Sequence, residues 1–295
     1  MSKVPLMSLV FVPTPLGNLR DITLRSLDAL RECSLLVAED SRVARKLLAA
    51  LHLPGKEIWS YREQNATATT HGILERARLE LVAVISDAGM PGISDPGGEL
   101  VAAARRAGIP VEVLPGPSAF VGAAVLSGFD LRRFAFEGFP PRSRSKRRAA
   151  FERSFAAGIP SIWYESPQRI AAALADIAYA DSHARVFLVR EYTKCFEQQI
   201  VGTADEVAAE LAAPVRGEIS FVVAPSARPL STAPTADELD RRIDFFLGRN
   251  KSVPEISKLL VEDGCGERKE MYARVTARKG QRRGASAGGD KAGRP

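Results

Sequence analysis

Three stretches of the chain concentrate proline, glycine and small polar residues in a way that suits ligand contact. They are Val12-Pro-Thr-Pro-Leu-Gly-Asn-Leu19, Ser86-Asp-Ala-Gly-Met-Pro-Gly-Ile-Ser-Asp-Pro-Gly97 and Leu114-Pro-Gly-Pro-Ser-Ala119. Small side chains let backbone N–H and C=O groups come close to a bound molecule. One such stretch reads as an ordinary turn. Three of them, the middle one carrying Gly89, Gly92 and Gly97, point to a binding surface. A GxGxxG after the first strand and a Gly-rich GK[ST] loop are both missing, which disfavours a nicotinamide dehydrogenase or a P-loop nucleotidase. Loops of this kind suit an uncharged nucleoside and a zwitterionic amino acid better than a pyrophosphate.

Ionisable residues supply the next layer. Glu165, Glu191 and Lys194 fall at or just after expected strand ends, where a proton acceptor could face a substrate. Each has a structural alternative. Glu191 could pair with Arg190 or Lys194, and Glu165 could cap the helix after Pro167. Glu39 and Asp40 are further candidates and read more readily as structural. A basic run, Arg142-Ser-Arg-Ser-Lys-Arg-Arg148, sits near Arg132, Arg133 and Arg153. Phe151 and Phe155 would turn inward and the charges outward, so Arg142, Arg144, Lys146, Arg147 and Arg148 are candidate phosphate contacts. The alternative is a solvated charged face.

The elements that must position these residues follow from periodicity. Leu9–Pro13, Leu35–Asp40, Glu57–Tyr61, Leu81–Asp87 and Val111–Leu114 read as strands. Asp21–Cys33, Arg42–Leu51, Thr69–Glu80 and Glu99–Ala107 read as helices, with Leu24, Leu27 and Leu30 on one face of the first. This βαβα order predicts a mostly parallel sheet covered by helices, with ligands beyond the carboxyl ends of the strands. A second α/β unit follows, with strands at Ser161–Glu165, Arg185–Glu191, Gln199–Val201 and Ile219–Ala224. Its helices are expected at Pro167–Ala178 and Asp205–Leu211, the latter opened by a capping box at Thr203–Glu206. After a Pro/Ser-rich linker at Ala227–Pro234, a capping box at Thr235–Glu238 opens a three-helix module ending at Ala277. The expected domains are 1–117, 118–226 and 235–277, with a disordered basic tail at 278–295.

The net charge of +6 lies mostly in that tail, where six Lys and Arg face one Asp. Its role is either a solvated end or an arm touching RNA phosphates. Three scattered cysteines and three scattered histidines form no metal-ligand spacing and no disulfide framework. We expect no metal, no secretory leader, no membrane span and a reducing, cytoplasmic setting.

Eight motifs occur in a fixed order: Thr14–Thr23, Ala38–Arg42, Ser86–Gly97, Leu114–Ala119, Phe136–Phe139, Ser145–Arg148, Tyr164–Pro167 and Arg190–Lys194. In this order they resemble the ribosomal RNA methyltransferases of the tetrapyrrole methylase superfamily, over residues 9 to 226. The terminal helices, with Lys269 to Tyr272, resemble that family's small terminal domain. Met90 and Tyr192 stand where Thr and Leu are more usual. The resemblance implies two α/β domains of the class III methyltransferase type, with S-adenosylmethionine in the cleft between them and a small helical module behind. It implies 2′-O-methylation of a decoding-centre cytidine of 16S rRNA (cytidine 1402 in ribosomal numbering) and a homodimer. Cofactor contacts carried over by it fall on Leu16, Asp87, Gly89, Ile93, Ser118 and Ala119, with Tyr164, Gly217 and Ile219 completing the cleft. A sulfonium already activates the methyl group, so in-line positioning and removal of one ribose proton would suffice. Two rival readings are a precorrin-type methyltransferase on the same fold and a non-enzymatic RNA-binding assembly factor.

Overall fold

Short apolar runs give the first half of the chain its strands, β1 (Ser8–Phe11), β2 (Leu35–Ala38), β3 (Glu57–Ser60), β4 (Leu81–Ile85) and β5 (Val111–Val113). In the computed structural model, which describes residues 7–62, 64–95, 97–211, 214–226, 236–262 and 265–287, they pair in the order β3-β2-β4-β1-β5. Every pairing is parallel. β1, β2 and β4 are buried along their whole length, as expected of strands covered on both faces. Helices α1 (Leu24–Glu32), α2 (Ser41–Ala50), α3 (Ala66–Ala77) and α4 (Gly97–Arg106) provide the cover. The strand period of two divides the core cleanly. Leu9, Phe11, Leu35 and Val37 pack with Ile73 and Leu100, whereas Val10, Val12, Leu36 and Ala38 pack with Leu30 and Leu48. Leu24, expected on the inward face of α1, is exposed instead. The helix starts at Thr23, whose hydroxyl accepts from the Ser26 N–H, and Ser26, Ala29 and Leu30 carry the buried stripe.

The second half builds α5 (Ala119–Ser127), β6 (Ala135–Gly138), α6 (Arg144–Ala156), β7 (Ser161–Glu165), α7 (Ile170–Ala180), β8 (Arg185–Arg190), β9 (Gln198–Thr203), α8 (Ala204–Glu210) and β10 (Ile219–Ala224). Its sheet order is β6-β7-β10-β8-β9. Only β6 and β7 run parallel; the other three pairings are antiparallel. The second sheet is therefore mixed, and β6 lies outside the strands expected from sequence. Thr203 opens α8 with a complete capping box, its hydroxyl and the Glu206 carboxylate each accepting from the other's backbone N–H.

The chain divides into two compact units, Met1–Ser226 and Ala227–Pro295. Within the second, α9 (Ala236–Leu247), α10 (Val253–Glu262) and α11 (Arg268–Ala287) enclose Leu239, Ile243, Ile256, Leu260, Met271 and Val275. Structure does not stop at Ala277, because α11 continues to Ala287. Arg278 pairs with Asp244 at 2.6 Å and Arg274 with Asp240 at 3.0 Å, so these cations tie α11 to α9. Thr235, the linker 227–234 and the end of the tail at 288–295 lie outside the described residues. Among the described residues, no helix is long and apolar enough to cross a membrane.

Candidate active site

The loops after β1, β4 and β5 leave the same edge of the sheet, because those three strands are parallel neighbours. The first two loops are joined. Thr14 and Gly89 exchange backbone hydrogen bonds of 2.9 and 3.1 Å, and the Ser86 hydroxyl donates to the carbonyls of Ala88 and Gly89. Gly89 has φ +82°, a left-handed conformation that a side chain disfavours, and a Cβ there would run into Leu16. The second sheet supplies the facing wall. Antiparallel pairing sets Glu165 opposite Ile219 and Tyr164 opposite Ser220, so the end of β7 and the start of β10 share one edge.

Between these walls lies a cavity of about 380 Å³. Leu16, Asp87, Gly89, Ile93, Ser118, Ala119, Tyr164, Gly217 and Ile219 all line it, as does Glu165. The charged groups on its lining are carboxylates only: Glu39, Asp87, Asp95, Glu165 and Glu218. Burial pushes the Asp95 carboxyl up to about 7, helped by the negative charges of Glu39 and Asp87. The same causes, burial first and carboxylate repulsion after it, raise Glu39. Asp87 is solvent-reachable, yet partial desolvation and Asp40 raise its carboxyl, against the Asp40 N–H that donates to Oδ1 at 3.1 Å. Such a wall favours a cation.

The three expected proton acceptors are each engaged by other groups of the protein. The Glu165 side chain is fully shielded. Its Oε1 accepts from the Ser166 N–H at 2.8 Å. Oε2 lies 3.0 Å from the Arg169 guanidinium, outside hydrogen-bonding angle. Glu191 and Lys194 lie behind the cavity lining, paired at 2.9 Å, and Glu191 also accepts from the Glu218 N–H at 3.0 Å. Burial alone would raise the Glu191 carboxyl, but Lys194 and that N–H outweigh it and hold it low. Burial would likewise discharge Lys194, and its two carboxylate partners keep the ammonium charged. Neither is a ready base. Asp95, which sequence reading passed over, is the lining carboxyl that titrates near neutrality. The available signal was a second carboxylate in the loop that already carried Asp87. Asp40 caps α2, with its carboxylate on the Arg42 N–H at 2.8 Å, and is structural.

The basic run also divides. Arg142, Arg144 and Lys146 are exposed, Arg144 while standing 3.6 Å from the Asp176 carboxylate. Arg147 is not, and this corrects its expected place among the phosphate contacts. It falls on the buried stripe of α6 with Ala150, Phe151 and Ser154. Its guanidinium meets Asp176 of α7 at 2.7 Å, and Arg148 reaches the other oxygen at the same distance while lying over the Tyr179 ring. Arg148 is thereby committed to the helix contact as well. Replacing Arg142, Arg144 and Lys146 with Ala should lower the slope of log K against log salt for RNA by about 0.7 to 0.9 per lost contact. Cofactor affinity should stay put. An unchanged slope in a salt titration would make these three a solvated face only.

Residues 8–208 match the family profile of tetrapyrrole (corrin/porphyrin) methylases. The chain is similar to the ribosomal RNA small subunit methyltransferase I of a Hydrogenobaculum species, at 39% identity over 74% of this chain and 95% of that one. It is also similar to the protein of that name from Micromonospora olivasterospora, at 35% identity over 91% of this chain and 86% of that one. Among solved structures, uroporphyrin-III C-methyltransferase of Thermus thermophilus complexed with S-adenosylhomocysteine aligns with TM-score 0.52 at 21% identity. That alignment covers 73% of this chain and 96% of the other, and it shows the shared fold. Among the described residues, no cluster of three His, Cys, Asp or Glu could hold a metal ion.

Proposed function

The chain belongs to the tetrapyrrole methylase family, in the group of ribosomal RNA small subunit methyltransferase I, and from that premise we propose that it methylates a ribose 2′-hydroxyl of small-subunit rRNA. It is a methyltransferase whose cofactor is S-adenosylmethionine. The observation that carries the site assignment is that the charged groups lining the cleft are all carboxylates, set among small and apolar residues of the surrounding loops. S-adenosylmethionine fits such a lining, since it combines a sulfonium and an ammonium with an adenosine that needs only close contacts. Glu39 and Asp87 would face the cationic groups. The loop peptides from Leu16, Gly89, Ser118 and Ala119 would lie along the rest, with Ile93, Tyr164 and Ile219 as apolar contacts. When bound, the cofactor supplies a methyl group already activated for transfer.

The protein's own task is to hold the acceptor oxygen in line and to remove its proton. We assign proton removal to Asp95, because it lines the cavity and its carboxyl titrates near the pH at which it must act. Arg142, Arg144 and Lys146 would hold phosphates without reading sequence. The reading extends to the decoding-centre cytidine within the assembled subunit as target and to the cytoplasm as setting. A homodimer belongs to it too, for which the exposed Val121 and Val125 of α5 offer an apolar face. The test is transfer of labelled methyl from S-adenosylmethionine to purified small subunits, followed by nucleoside mass spectrometry of the 16S rRNA. Label on the ribose of that cytidine is the expected result. Label on a base, or none on RNA, would refute the assignment.

A further inference from the structure

Phe139 is a large aromatic side chain on the cavity lining that is 55% exposed, so one face of its ring is open to solvent. Its position is built. The β6–β7 register shifts between Phe136 and Gly138, and Gly138 takes φ +68°, so the chain turns out of the sheet just before the ring. Tyr164 supports the ring from within, centroid to centroid 5.6 Å, and Phe136 in turn supports Tyr164 at 5.1 Å. Gly138 faces Ser94 of the long first-domain loop, so Phe139 follows directly on a point where the two cleft walls approach. The exposed cations Arg142, Arg144 and Lys146 follow within a few residues.

A nucleotide drawn out of its stack to bring its ribose to a recessed methyl donor loses stacking that the protein must replace. Aromatic faces beside a positive backbone track are the common replacement. We propose that Phe139 is the platform on which the base of the target nucleotide stacks, holding its ribose over the cavity while the cations hold the flanking phosphates. This rests on the RNA-methylating reading above. Phe139 is thus a positioning residue.

The experiment compares the unmodified protein with Phe139→Leu and Phe139→Trp. It measures methyl transfer to small subunits, S-adenosylmethionine affinity by calorimetry, and thermal midpoint. Phe139→Leu keeps the volume class but loses the π face, and kcat/KM should fall roughly tenfold to hundredfold, the usual worth of one stacked base. Phe139→Trp should retain activity within about threefold, and its added indole emission should be quenched by a short RNA spanning the target. Cofactor affinity and midpoint should match the unmodified protein in both variants. Wild-type turnover in Phe139→Leu would overturn the proposal, as would a loss of cofactor affinity there, which would assign the ring to the adenosine. Failure of the unmodified protein to methylate RNA at all would instead overturn the parent reading and this one with it.

Discussion

Asp95→Asn should lower kcat by about a hundredfold to ten-thousandfold, the span attributable to one positioned base. The amide keeps the size and polarity of the side chain but cannot take a proton. In the unmodified protein the carboxyl titrates at about 7, so activity should fall as pH drops through that value and the group becomes protonated. The variant's residual rate should lack this limb. Stability moves the other way. A carboxyl whose folded pKa is raised favours the folded state while protonated, and that contribution is lost as pH rises through about 7. Removing the charge should therefore leave the protein as stable as before, or more so, above neutrality. A slow enzyme with an unchanged or higher midpoint would be a catalytic defect and not a folding one, in line with the tension between activity and stability at strained sites. If Asp95→Asn turned over normally with the same pH profile, the proton would have to leave by another route.

Asp176→Ala should destabilise the first unit by about 3–5 kcal/mol in denaturant titration, the usual cost of stripping one partner from a buried ion pair. Asp176 is 2% exposed and carries Arg147 on one oxygen and Arg148 on the other, with Arg144 3.6 Å from the latter oxygen. Removing it strands the Arg147 guanidinium, itself 8% exposed, between α6 and α7. Burial pushes the Asp176 carboxyl up, but the two arginines outweigh it and hold the folded value below the ordinary range. Its contribution is therefore present above about pH 4 and lost as pH falls below that, so the variant and the parent should converge in acid. Equal stability at neutral pH would mean that the cluster is a surface network of little worth. Cofactor affinity is expected to survive, since Asp176 lies off the cavity lining.

What the sequence disclosed and withheld follows the range of the interactions involved. β1, β2 and β4 were legible because each is a short, wholly apolar run whose burial is written in its own composition. The small-residue loops were legible for the same local reason, and all the cofactor contacts expected by resemblance line one cavity. β6 was missed because Ala135-Phe-Glu-Gly138 is brief and broken by a bulge. The fate of Arg147 depends on Asp176 on the next helix, a partner that no local pattern announces. The titration of Asp95 depends first on its burial and then on Glu39, which the strand order brings beside it from the end of β2, as well as on Asp87 of its own loop. The antiparallel return of β10 between β7 and β8 is likewise a long-range outcome, and it is what brings Gly217 and Ile219 to the cavity.

The backbone N–H of Asn18 donates to the Thr193 hydroxyl at 3.2 Å, and a Cβ on Gly17 would collide with Lys194, so the loop after β1 lies flush against the loop after β8. Glu191 and Thr193, both in the loop after β8, hold left-handed φ of 55° and 66°. Non-glycine residues keep such angles only while their surroundings enforce them. The two loops therefore support each other's conformation, and release of one relaxes the other. Amide protons on both should exchange together, as one cooperative unit bridging two cores.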